Sequence, residues 1–501
     1  MILSFIVLVV LLTILFKVKY GRMYEMASKV PSFNADWPLI GSSFEFFGAN
    51  EESLFQLVRN FSYESISKGG LMKSWFGPQL IYVMTDAKDL EVVTKSQLNK
   101  SLYYDTFQTF AGTNIINAPV PMWKDHRKAM MRAFTPKMID QYIPLFIDNS
   151  KKLVEKLCER VNTGEFELFP YVSAYEFDIV CETTFGVKVN SQDDTNHPCV
   201  VNIGIIMRIA CDRLFRAWQG WLGEWIFKLT PQYTTLKEAR KVLNEFILQV
   251  IKAKREEMKK NKEKINDNNA SLYPSFLELV LSPESEVKYT DKELMQDMIV
   301  MIIAGTDTST ATICFACQIL AIYPEMQKKV YQELYGVLGD SDRLLEKEDL
   351  PKLRYLDRIL KETLRLYGPA AITGRKIDQD IQLPSGYTLP AGAAVNVCIY
   401  GVHRNPKYWG PEPEKFDPDR FLPENYDAMP PCSYMPFSYG PRNCPGIQFA
   451  NYTTRIAVAD IVRKFKLIAE PAKDAFPKLD SKMNTLAMPG KGVKVSLVPR
   501  K

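Results

Sequence analysis

An almost unbroken run of apolar residues opens the chain at residues 2–16, and basic residues follow it at Lys17, Lys19 and Arg22. A secretory signal peptide would have a positively charged start and a small-residue cleavage site. This segment has no charged start and no convincing cleavage site. We therefore predict a membrane anchor with its basic stop over residues 1–22. Because the basic residues follow the apolar run, the positive-inside rule places the rest of the chain in the cytoplasm.

The apolar pattern is interrupted after the anchor by proline, tryptophan and glycine at Pro31, Trp37, Pro38 and Gly41. We predict a proline-rich connector over residues 23–45. β-Prone apolar residues then cluster at 72–84, on either side of a Gly77-Pro78 turn. This arrangement predicts a strand pair.

Helical periodicity takes over further along the chain. A segment at residues 122–133 places Trp123 and Arg127 four residues apart on one helix face. Another, at residues 195–229, carries an aromatic stripe at helical spacing, with Trp218, Trp221 and Trp225. Such a stripe ordinarily packs against the core. Together these segments predict a mainly α protein with smaller β-sheets, an α+β class.

A long helix is predicted to start at Thr290, which forms a capping box with Glu293. The apolar run at residues 298–303 indicates that the middle of this helix is buried. A polar notch follows at 304–309, where glycine and hydroxyl side chains disfavour regular helix and predict a local distortion. Buried hydroxyls and carboxylates cost free energy unless they are bonded, so the notch has either a packing partner or a function.

Composition narrows the class of protein. With 501 residues and 46% hydrophobic content the chain can bury a large core. Its net charge of +5 is too small and too dispersed to indicate nucleic acid as a partner. The 9 cysteines are odd in number and scattered, without a CxxC pair suited to zinc. They indicate a reducing compartment and not a disulfide framework.

One cysteine, Cys444, lies in a Pro/Gly-rich segment, residues 437–446, with the sequence Phe-Ser-Tyr-Gly-Pro-Arg-Asn-Cys-Pro-Gly. Pro445 suits the first position of a helix, so we predict that Cys444 lies at a helix N-terminus. The amides of Gly446 and Ile447 would then support a thiolate, which can be an axial ligand of haem iron. A buried, inert cysteine is the alternative for this residue taken alone.

The pattern Phe-x-x-Gly-x-Arg-x-Cys-x-Gly resembles the haem-ligand motif of the cytochrome P450 superfamily. Further motifs stand in that family's order: Trp123-x-x-x-Arg127, Ala304-Gly-x-Asp-Thr308, and Glu362-x-x-Arg365 followed by Phe416-x-Pro-x-Arg-Phe421. The chain is most similar to microsomal animal members, in particular insect members of the family-four clan. The resemblance implies a cytochrome P450 fold, with one haem-binding catalytic domain over residues 46–501 behind the membrane anchor.

The resemblance also implies roles for individual residues. Cys444 would bind the iron of haem b, with Phe437 and Gly446 beside it. Donors to the haem propionates would be Trp123, Arg127, Arg375 and Arg442. Over the haem, Thr308 would hold water and oxygen while Asp307 relays protons. Some family-four relatives esterify the haem through a glutamate at the position of Ala304, so the haem is expected to be noncovalent here.

A structural network is implied at Glu362 and Arg365, on a helix predicted to stop at Gly368-Pro369. On its own a Glu-x-x-Arg pair is weak evidence, because surface helix pairs of this kind are common. The resemblance joins it to Arg420 as a buried network that supports the haem-side core.

The implied activity is a haem-thiolate monooxygenase that inserts one oxygen atom from O2 into a hydrophobic small molecule. Electrons would come from NADPH through a separate NADPH-cytochrome P450 reductase, with cytochrome b5 as a second candidate donor. The implied location is the endoplasmic reticulum membrane, with the catalytic domain on the cytosolic face. The alternatives are a haem-thiolate isomerase or dehydratase and a noncatalytic haem-binding sensor. Asp307 and Thr308 count against both.

Substrate contacts are implied at segments that are mostly apolar, with hydroxyls and no convergent charge: residues 103–121, the aromatic stripe, 301–308, 370–373 and 485–488. This composition fits a hydrophobic substrate and does not choose among them. Lys124, Lys128 and Arg132 would form either the docking face for an acidic reductase or a solvated helix face. His126, between them, is interpreted as structural.

Overall fold

The computed structural model describes residues 2–33, 41–46, 48–215, 220–263, 274–469, 479, 481–484, 486–490 and 492–500. Its helices are α1 Ile2–Ser28, α2 Glu51–Ser67, α3 Ala87–Ser96, α4 Phe107–Ala111, α5 Val120–Met131, α6 Pro136–Cys158, α7 Phe169–Phe185, α8 Pro198–Phe215, α9 Gly220–Lys228, α10 Pro231–Glu263, α11 Phe276–Leu281, α12 Asp291–Ile322, α13 Pro324–Leu338, α14 Arg354–Tyr367, α15 Ile399–Val402, α16 Pro406–Trp409, α17 Pro423–Tyr426 and α18 Ile447–Lys464.

The strands are short: β1 Leu71–Phe76, β2 Gln79–Met84, β3 Phe166–Glu167, β4 Thr373–Lys376, β5 Ile381–Gln382, β6 Thr388–Leu389, β7 Ala394–Val397, β8 Phe465–Ile468, β9 Ser481–Asn484, β10 Leu486–Pro489 and β11 Lys494–Pro499. The predicted strand pair is confirmed as the antiparallel pair β1–β2, with Phe76 opposite Gln79. Parallel β7 and then antiparallel β4 extend it to the order β1-β2-β7-β4. The fold is mainly α with small sheets, as predicted.

Helix α12 is the centre of the helical part, where it packs against α7, α10, α14 and α18. The predicted Thr290 capping box is present. α12 is long and apolar enough to cross a membrane, but 83% of its most apolar stretch is buried inside the protein. A Cβ on Gly305 would lie 2.8 Å from Val180 Cγ2, so glycine lets α7 cross closely. This helix is therefore the core of the domain.

The N-terminal helix is longer than the predicted anchor. α1 continues through the basic stop and six residues into the predicted connector, to Ser28. Residues 17–28 contain no proline, and Lys, Arg, Glu and Met among them are good helix formers, so nothing ends the helix at residue 22. Apolar side chains along it are exposed: Val7, Val10, Leu11, Ile14, Leu15 and Val18. Trp37 and Pro38 of the connector lie outside the described residues.

The aromatic stripe falls on two helices, α8 and α9, instead of one. Trp225 on α9 is 69% exposed and Leu229, just after this helix, is 87% exposed. Trp218 and the side chain of Trp221 lie outside the described residues. Trp225 therefore departs from the ordinary core packing of such a stripe and presents an apolar ring to the surroundings.

Candidate active site

The segment before α18 folds back on itself to present Cys444. The Cys444 amide donates to the Phe437 carbonyl oxygen at 2.9 Å, and the Asn443 amide donates to that of Gly440 at 3.0 Å. Gly440 has φ +74°, and a Cβ there would lie 2.4 Å from the Thr94 carbonyl oxygen. Only glycine fits where this loop passes α3. The result is a closed loop, with Cys444 just before α18.

The Cys444 sulfur receives a hydrogen bond from the Gly446 amide, whose nitrogen is 3.3 Å from Sγ. The helix begins at Ile447 and not at Pro445 as predicted, because Pro445 and Gly446 form a turn and Gly446 is the N-cap. Among the described residues Ile447 gives no such bond to Sγ. Burial raises the pKa of the Cys444 thiol, while the Gly446 amide and the Arg127 charge lower it. A thiolate here depends on one amide and one guanidinium.

Three of the predicted donors surround this loop. Arg127 of α5 donates to the Asn443 carbonyl oxygen at 2.7 Å and to Asn443 Oδ1 at 2.8 Å. The Arg442 guanidinium lies 4.2 Å from the centre of the Trp123 ring. Its nitrogens donate to three carbonyl oxygens, of Leu98 at 2.9 Å, Ile115 at 3.3 Å and Ala118 at 2.8 Å. Backbone contacts therefore hold both arginines beside Cys444.

Arg375, the fourth predicted donor, uses only one of its three nitrogens in hydrogen bonds among the described residues. It is fully buried on β4, where Nη1 donates to Thr373 Oγ1 at 3.3 Å and to the Gly374 carbonyl oxygen at 3.1 Å. Its Nε and Nη2 are buried without a partner. Burial lowers the pKa of this guanidinium. Two unused donors on a buried cation cost free energy, so this position is suited to a ligand that accepts hydrogen bonds.

Lys100 is a functional candidate that the sequence did not reveal. Its Nζ lies 3.2 Å from Thr373 Oγ1 and 4.6 Å from the centre of the Tyr104 ring. Burial, followed by the charges of Arg375 and Arg442, lowers the pKa of Lys100 well below 10.5. No motif marks it, and a lysine preceding two tyrosines at 103–104 is a weak signal in the sequence.

Lys100, Arg127, Arg375 and Arg442 together form what we call the cationic group. Burial, followed by the charges of Arg375 and Arg127, lowers the pKa of Arg442 to about 9. The members of the cationic group therefore repel one another. Within the part of the chain that the structure describes, no Asp or Glu forms an ion pair with any of them. Arg375 and Arg442 are buried and Lys100 and Arg127 half-buried, and a positive group of this kind without carboxylates is suited to a ligand that carries negative charge.

The polar notch of α12 remains helical. The helix continues without interruption through residues 304–309, so the predicted distortion is wrong. The Thr308 hydroxyl donates to the Ala304 carbonyl oxygen at 2.7 Å, and Thr312 donates to that of Thr308 at 2.9 Å. These bonds satisfy the hydroxyls inside the helix. Ala304 is exposed and Gly305 and Thr308 are half-buried, which makes the notch an accessible edge on a buried helix.

Asp307 is buried beside this edge, at 5% exposure. Burial raises the pKa of its carboxyl to about 7. The hydroxyls of Thr306 and Thr310 are buried nearby on the same helix without a partner. An acid with a pKa near neutrality can both give and accept protons, which suits a relay.

Glu362, Arg365 and Arg420 lie together. Arg365 Nε is 2.6 Å from Glu362 Oε2 and its Nη2 is 2.7 Å from Oε1. Arg420 Nε is 3.8 Å from Glu362 Oε1, and the Asp417 amide donates to that oxygen at 2.7 Å. The remaining Arg365 donors go to backbone carbonyls of His403, Pro413 and Lys415. α14, which carries the pair, ends at Tyr367, as predicted from Gly368-Pro369.

His403 locks the next loop onto this network. Its Nε2 accepts the Met435 amide at 2.9 Å, so the ring proton is on Nδ1, which donates to the Arg365 carbonyl oxygen at 3.0 Å. Burial and the charges of Arg365 and Arg404 lower the pKa of His403 to about 3. This histidine is therefore neutral and structural.

Cys398 is the most instructive of the other cysteines. It is fully buried next to β7 and its Sγ lies 3.0 Å from Ser62 Oγ. Its hydrophobic neighbours include Phe61, Met72 and Val83. Burial raises the pKa of its thiol. It has no part in the cationic group, and its setting is that of a packed core residue.

A cysteine supported by an amide and a guanidinium, with a cationic group beside it, is an arrangement suited to a haem-thiolate enzyme. The family model for Cytochrome P450 matches residues 31–497. The chain belongs to the cytochrome P450 family. It is a monooxygenase that binds haem b, and Ala304 has no carboxyl through which the haem could be esterified.

Similar proteins belong to the family-four clan that the sequence motifs indicated. Cytochrome P450 4c21 of Blattella germanica is 32% identical, over 93% of this chain and 92% of the relative. Cytochrome P450 4V2 of Mus musculus is 30% identical, over 89% of this chain and 86% of the relative. Cytochrome P450 4c3 of Drosophila melanogaster is 28% identical, over 98% of this chain and 93% of the relative. The predicted similarity to insect family-four members is confirmed.

Proposed function

We propose that this chain is a membrane-anchored monooxygenase in which Cys444 binds the haem iron and the cationic group binds the propionates. The observation that carries the proposal is Arg375, a buried guanidinium with two unused donors in a group of cations that lacks a carboxylate. Bound haem supplies the iron at which O2 is activated. The remaining steps belong to side chains of this chain.

The residues around Cys444 favour its thiolate form, which is the form that would bind the iron. The Gly446 amide donates to Sγ, and the Arg127 charge favours the deprotonated form. The α12 side moves protons. Asp307, with its pKa raised to about 7, can give a proton at neutral pH. Thr308 Oγ1 donates its own proton to the Ala304 carbonyl oxygen, so it can accept a hydrogen bond from water and hold that water in place. Met301 and Ile302, both buried, exclude water from the preceding turn.

The substrate we propose is a hydrophobic small molecule. Ala371, Met301 and Met488 from the predicted substrate segments are buried apolar residues, and Thr373 supplies a hydroxyl. Thr485 lies outside the described residues. The buried Arg213 of the aromatic-stripe segment is paired with Glu224, with Nη2 2.8 Å from Oε2, so these two charges balance each other. A pocket of this composition binds through apolar burial.

Reduced protein exposed to CO tests the thiolate directly. Wild-type protein should give a strongly red-shifted Soret band, and Cys444→Ser should abolish it. Cys398→Ser is the matched control, because it removes a second buried cysteine and should keep the band. An unshifted wild-type band, or loss of the band in Cys398→Ser alone, would remove Cys444 from the role of ligand.

Electron supply is proposed to come from NADPH-cytochrome P450 reductase, with cytochrome b5 as a second donor. Lys124, Lys128 and Arg132 are exposed on or beside α5, and Lys128 pairs with Glu286. Reversing the charge of Lys124 and Arg132 should raise the reductase concentration needed for half-maximal rate, while peroxide-supported turnover stays unchanged. Equal losses of activity with reductase and with peroxide would mean that this face does not dock the reductase.

The endoplasmic reticulum membrane is the proposed location, with the catalytic domain on the cytosolic face. Supporting observations are the exposed apolar side chains of α1 and the exposed Trp225 and Leu229. α1 reaches about 40 Å, longer than a bilayer core of about 30 Å. The sequons at Asn60 and Asn451 are exposed and should carry no glycan after expression in animal cells. Glycan on either asparagine would reverse the proposed topology.

A further inference from the structure

A buried carboxylate lies on α12 well before the polar notch. Asp297 is 0% exposed and accepts hydrogen bonds from three separate segments. Its Oδ1 accepts the Ile115 amide at 2.7 Å, and its Oδ2 accepts His126 Nδ1 at 2.7 Å and the Tyr289 hydroxyl at 3.1 Å. An ionised carboxylate only accepts, so His126 carries its proton on Nδ1. The three donors satisfy a charge that would otherwise be costly to bury.

One partner of Asp297 leads to Arg442. The carbonyl oxygen of Ile115, whose amide is bound by Asp297, accepts Arg442 Nη1 at 3.3 Å. Ala118, three residues further along the same loop, accepts Arg442 Nη2 at 2.8 Å. Asp297 therefore fixes the loop whose carbonyls hold the arginine two residues before Cys444.

A second partner leads to Arg127. His126 precedes Arg127 on α5, and Arg127 donates twice to Asn443, the residue before Cys444. The ring of His126 also packs against that of Tyr289, with centroids 4.4 Å apart. Two separate routes thus run from one carboxylate to the two arginines beside the cysteine, one through the hydrogen bonds of Ile115 and one through His126 and the backbone that joins it to Arg127.

We propose that Asp297 is a positioning residue for the thiolate, which through Ile115 and His126 holds Arg442 and Arg127 in place at the Cys444 loop. The inference rests on the proposed role of Cys444 as the ligand. It assigns to α12 a second task, because the helix that carries Asp307 also sets the electrostatic environment of the sulfur. Asp297 can hold these residues in place because it accepts all three hydrogen bonds, and a shift of its carboxylate would leave three donors without an acceptor at once.

Asp297→Asn is the direct test in the haem-loaded enzyme. The amide keeps the shape of the side chain but replaces one acceptor oxygen with a donor, so the two donors that converge on Oδ2 cannot both be satisfied. Arg127 and Arg442 would then lie less tightly against the loop. Less positive charge at the sulfur should shift the haem reduction potential to more negative values. Loss of the red-shifted CO band on mild heating should be about tenfold faster, the factor produced by one lost hydrogen bond to a charged group.

Asp178→Asn is the matched control. Asp178 is a 2% exposed carboxylate that accepts the amides of Ser191 at 2.7 Å and Gln192 at 3.2 Å, and neither amide contacts the cysteine loop. It should lower general stability and leave the reduction potential unchanged. If Asp297→Asn and Asp178→Asn have the same potential and the same loss of the CO band, the proposal is wrong and Asp297 only supports the fold.

A second pair of variants keeps the test decisive if Asp297→Asn does not fold. The Asn side chain in His126→Asn can donate from a position close to that of Nδ1, whereas His126→Leu cannot. The potential and the CO band should be near wild type in His126→Asn and altered in His126→Leu. Equal behaviour of the two variants would overturn the proposal alone, while a wild-type enzyme without the red-shifted band would overturn the role of Cys444 itself.

Hydrogen exchange gives a readout that needs no haem. The Ile115 amide is bonded to Asp297, so in haem-free protein it should exchange faster in Asp297→Asn and at the wild-type rate in Asp178→Asn. Unchanged exchange at Ile115 in Asp297→Asn would contradict the link between this carboxylate and the loop that holds Arg442.

Discussion

Arg365 and Arg375 are both buried, at 1% and 0% exposure, yet their surroundings are opposite. Arg365 has its counter-ion inside the chain, because Glu362 takes two of its nitrogens and backbone carbonyls take the rest. Arg375 faces other cations and keeps two nitrogens unused. The charge of Arg365 is completed by the chain and serves the fold, whereas the two unused nitrogens of Arg375 fit the proposed role of binding a ligand.

The largest effect is expected from breaking the completed pair. Glu362→Gln leaves the buried Arg365 without its carboxylate, and removing one partner of such a pair costs about 3–5 kcal/mol of unfolding free energy. The loss should be equal in haem-free and haem-loaded protein, measured by denaturant unfolding. Glu155→Gln is the control, because its 4.0 Å pair with Lys151 is exposed and should contribute almost nothing.

Removing the charge of Arg375 should have opposite effects on the haem-free and the haem-loaded protein. Arg375→Met should leave haem-free protein as stable as wild type or more so, because an unpaired buried charge disappears. Haem should dissociate about 10 to 100 times faster, as expected from losing charge-assisted hydrogen bonds. Stopped-flow transfer of haem to an acceptor protein measures the rate. If Arg375→Met destabilises haem-free protein as much as Arg365→Met does, the distinction between the two arginines fails.

Asp307 extends the comparison to an unpaired acid. Its pKa of about 7 in the folded protein lies above the ordinary 3.8, so stability that is present below pH 3.8 is lost as the pH rises through 7. Asp307→Asn should make this slope smaller in the unfolding free energy of haem-free protein, and the remaining slope comes from acids such as Glu176 and Asp460, whose pKa values burial also raises. Asp427→Asn, at an exposed site, should retain it. A slope in Asp307→Asn as steep as that of the wild type would mean that Asp307 does not contribute to it.

The smallest effect is expected at Lys100, which lies beside Arg375. Its lowered pKa means that it loses its proton below the ordinary value of 10.5 in haem-free protein. Propionates would favour the charged form, so haem binding takes up a proton in that range and the affinity falls as the pH rises toward 10.5. Lys100→Met should reduce this pH dependence, leaving the part that comes from Arg442 with its pKa of about 9, and should weaken haem binding by less than about tenfold at neutral pH. Titration of haem-free protein with haem at several pH values checks both.

Sequence reasoning succeeded where a signal is local in the chain. The β1–β2 pair follows from a turn between β-prone residues, the start of α12 from the Thr290 capping box, and the end of α14 from Gly368-Pro369. The Cys444 loop was recognisable because its parts are contiguous. Each of these features depends on residues that are close together in the sequence.

Sequence reasoning failed where tertiary contacts decide. Lys100 became a candidate only because β4 brings Thr373 to it from 273 positions away. The predicted distortion of α12 was wrong because the Thr308 hydroxyl bonds within its own helix. The predicted start of α18 at Pro445 was wrong because the Gly446 amide turns toward the sulfur instead of joining the helix. Composition alone cannot weigh such competing partners.

The cationic group has a consequence for the life of the protein in the cell. A chain that stores mutual repulsion among Lys100, Arg375 and Arg442 until haem arrives is less resistant to opening, and to proteases, before loading than after it. Newly made protein that receives no haem would be degraded first. The amount of this enzyme would therefore follow the supply of haem even where its messenger RNA is constant.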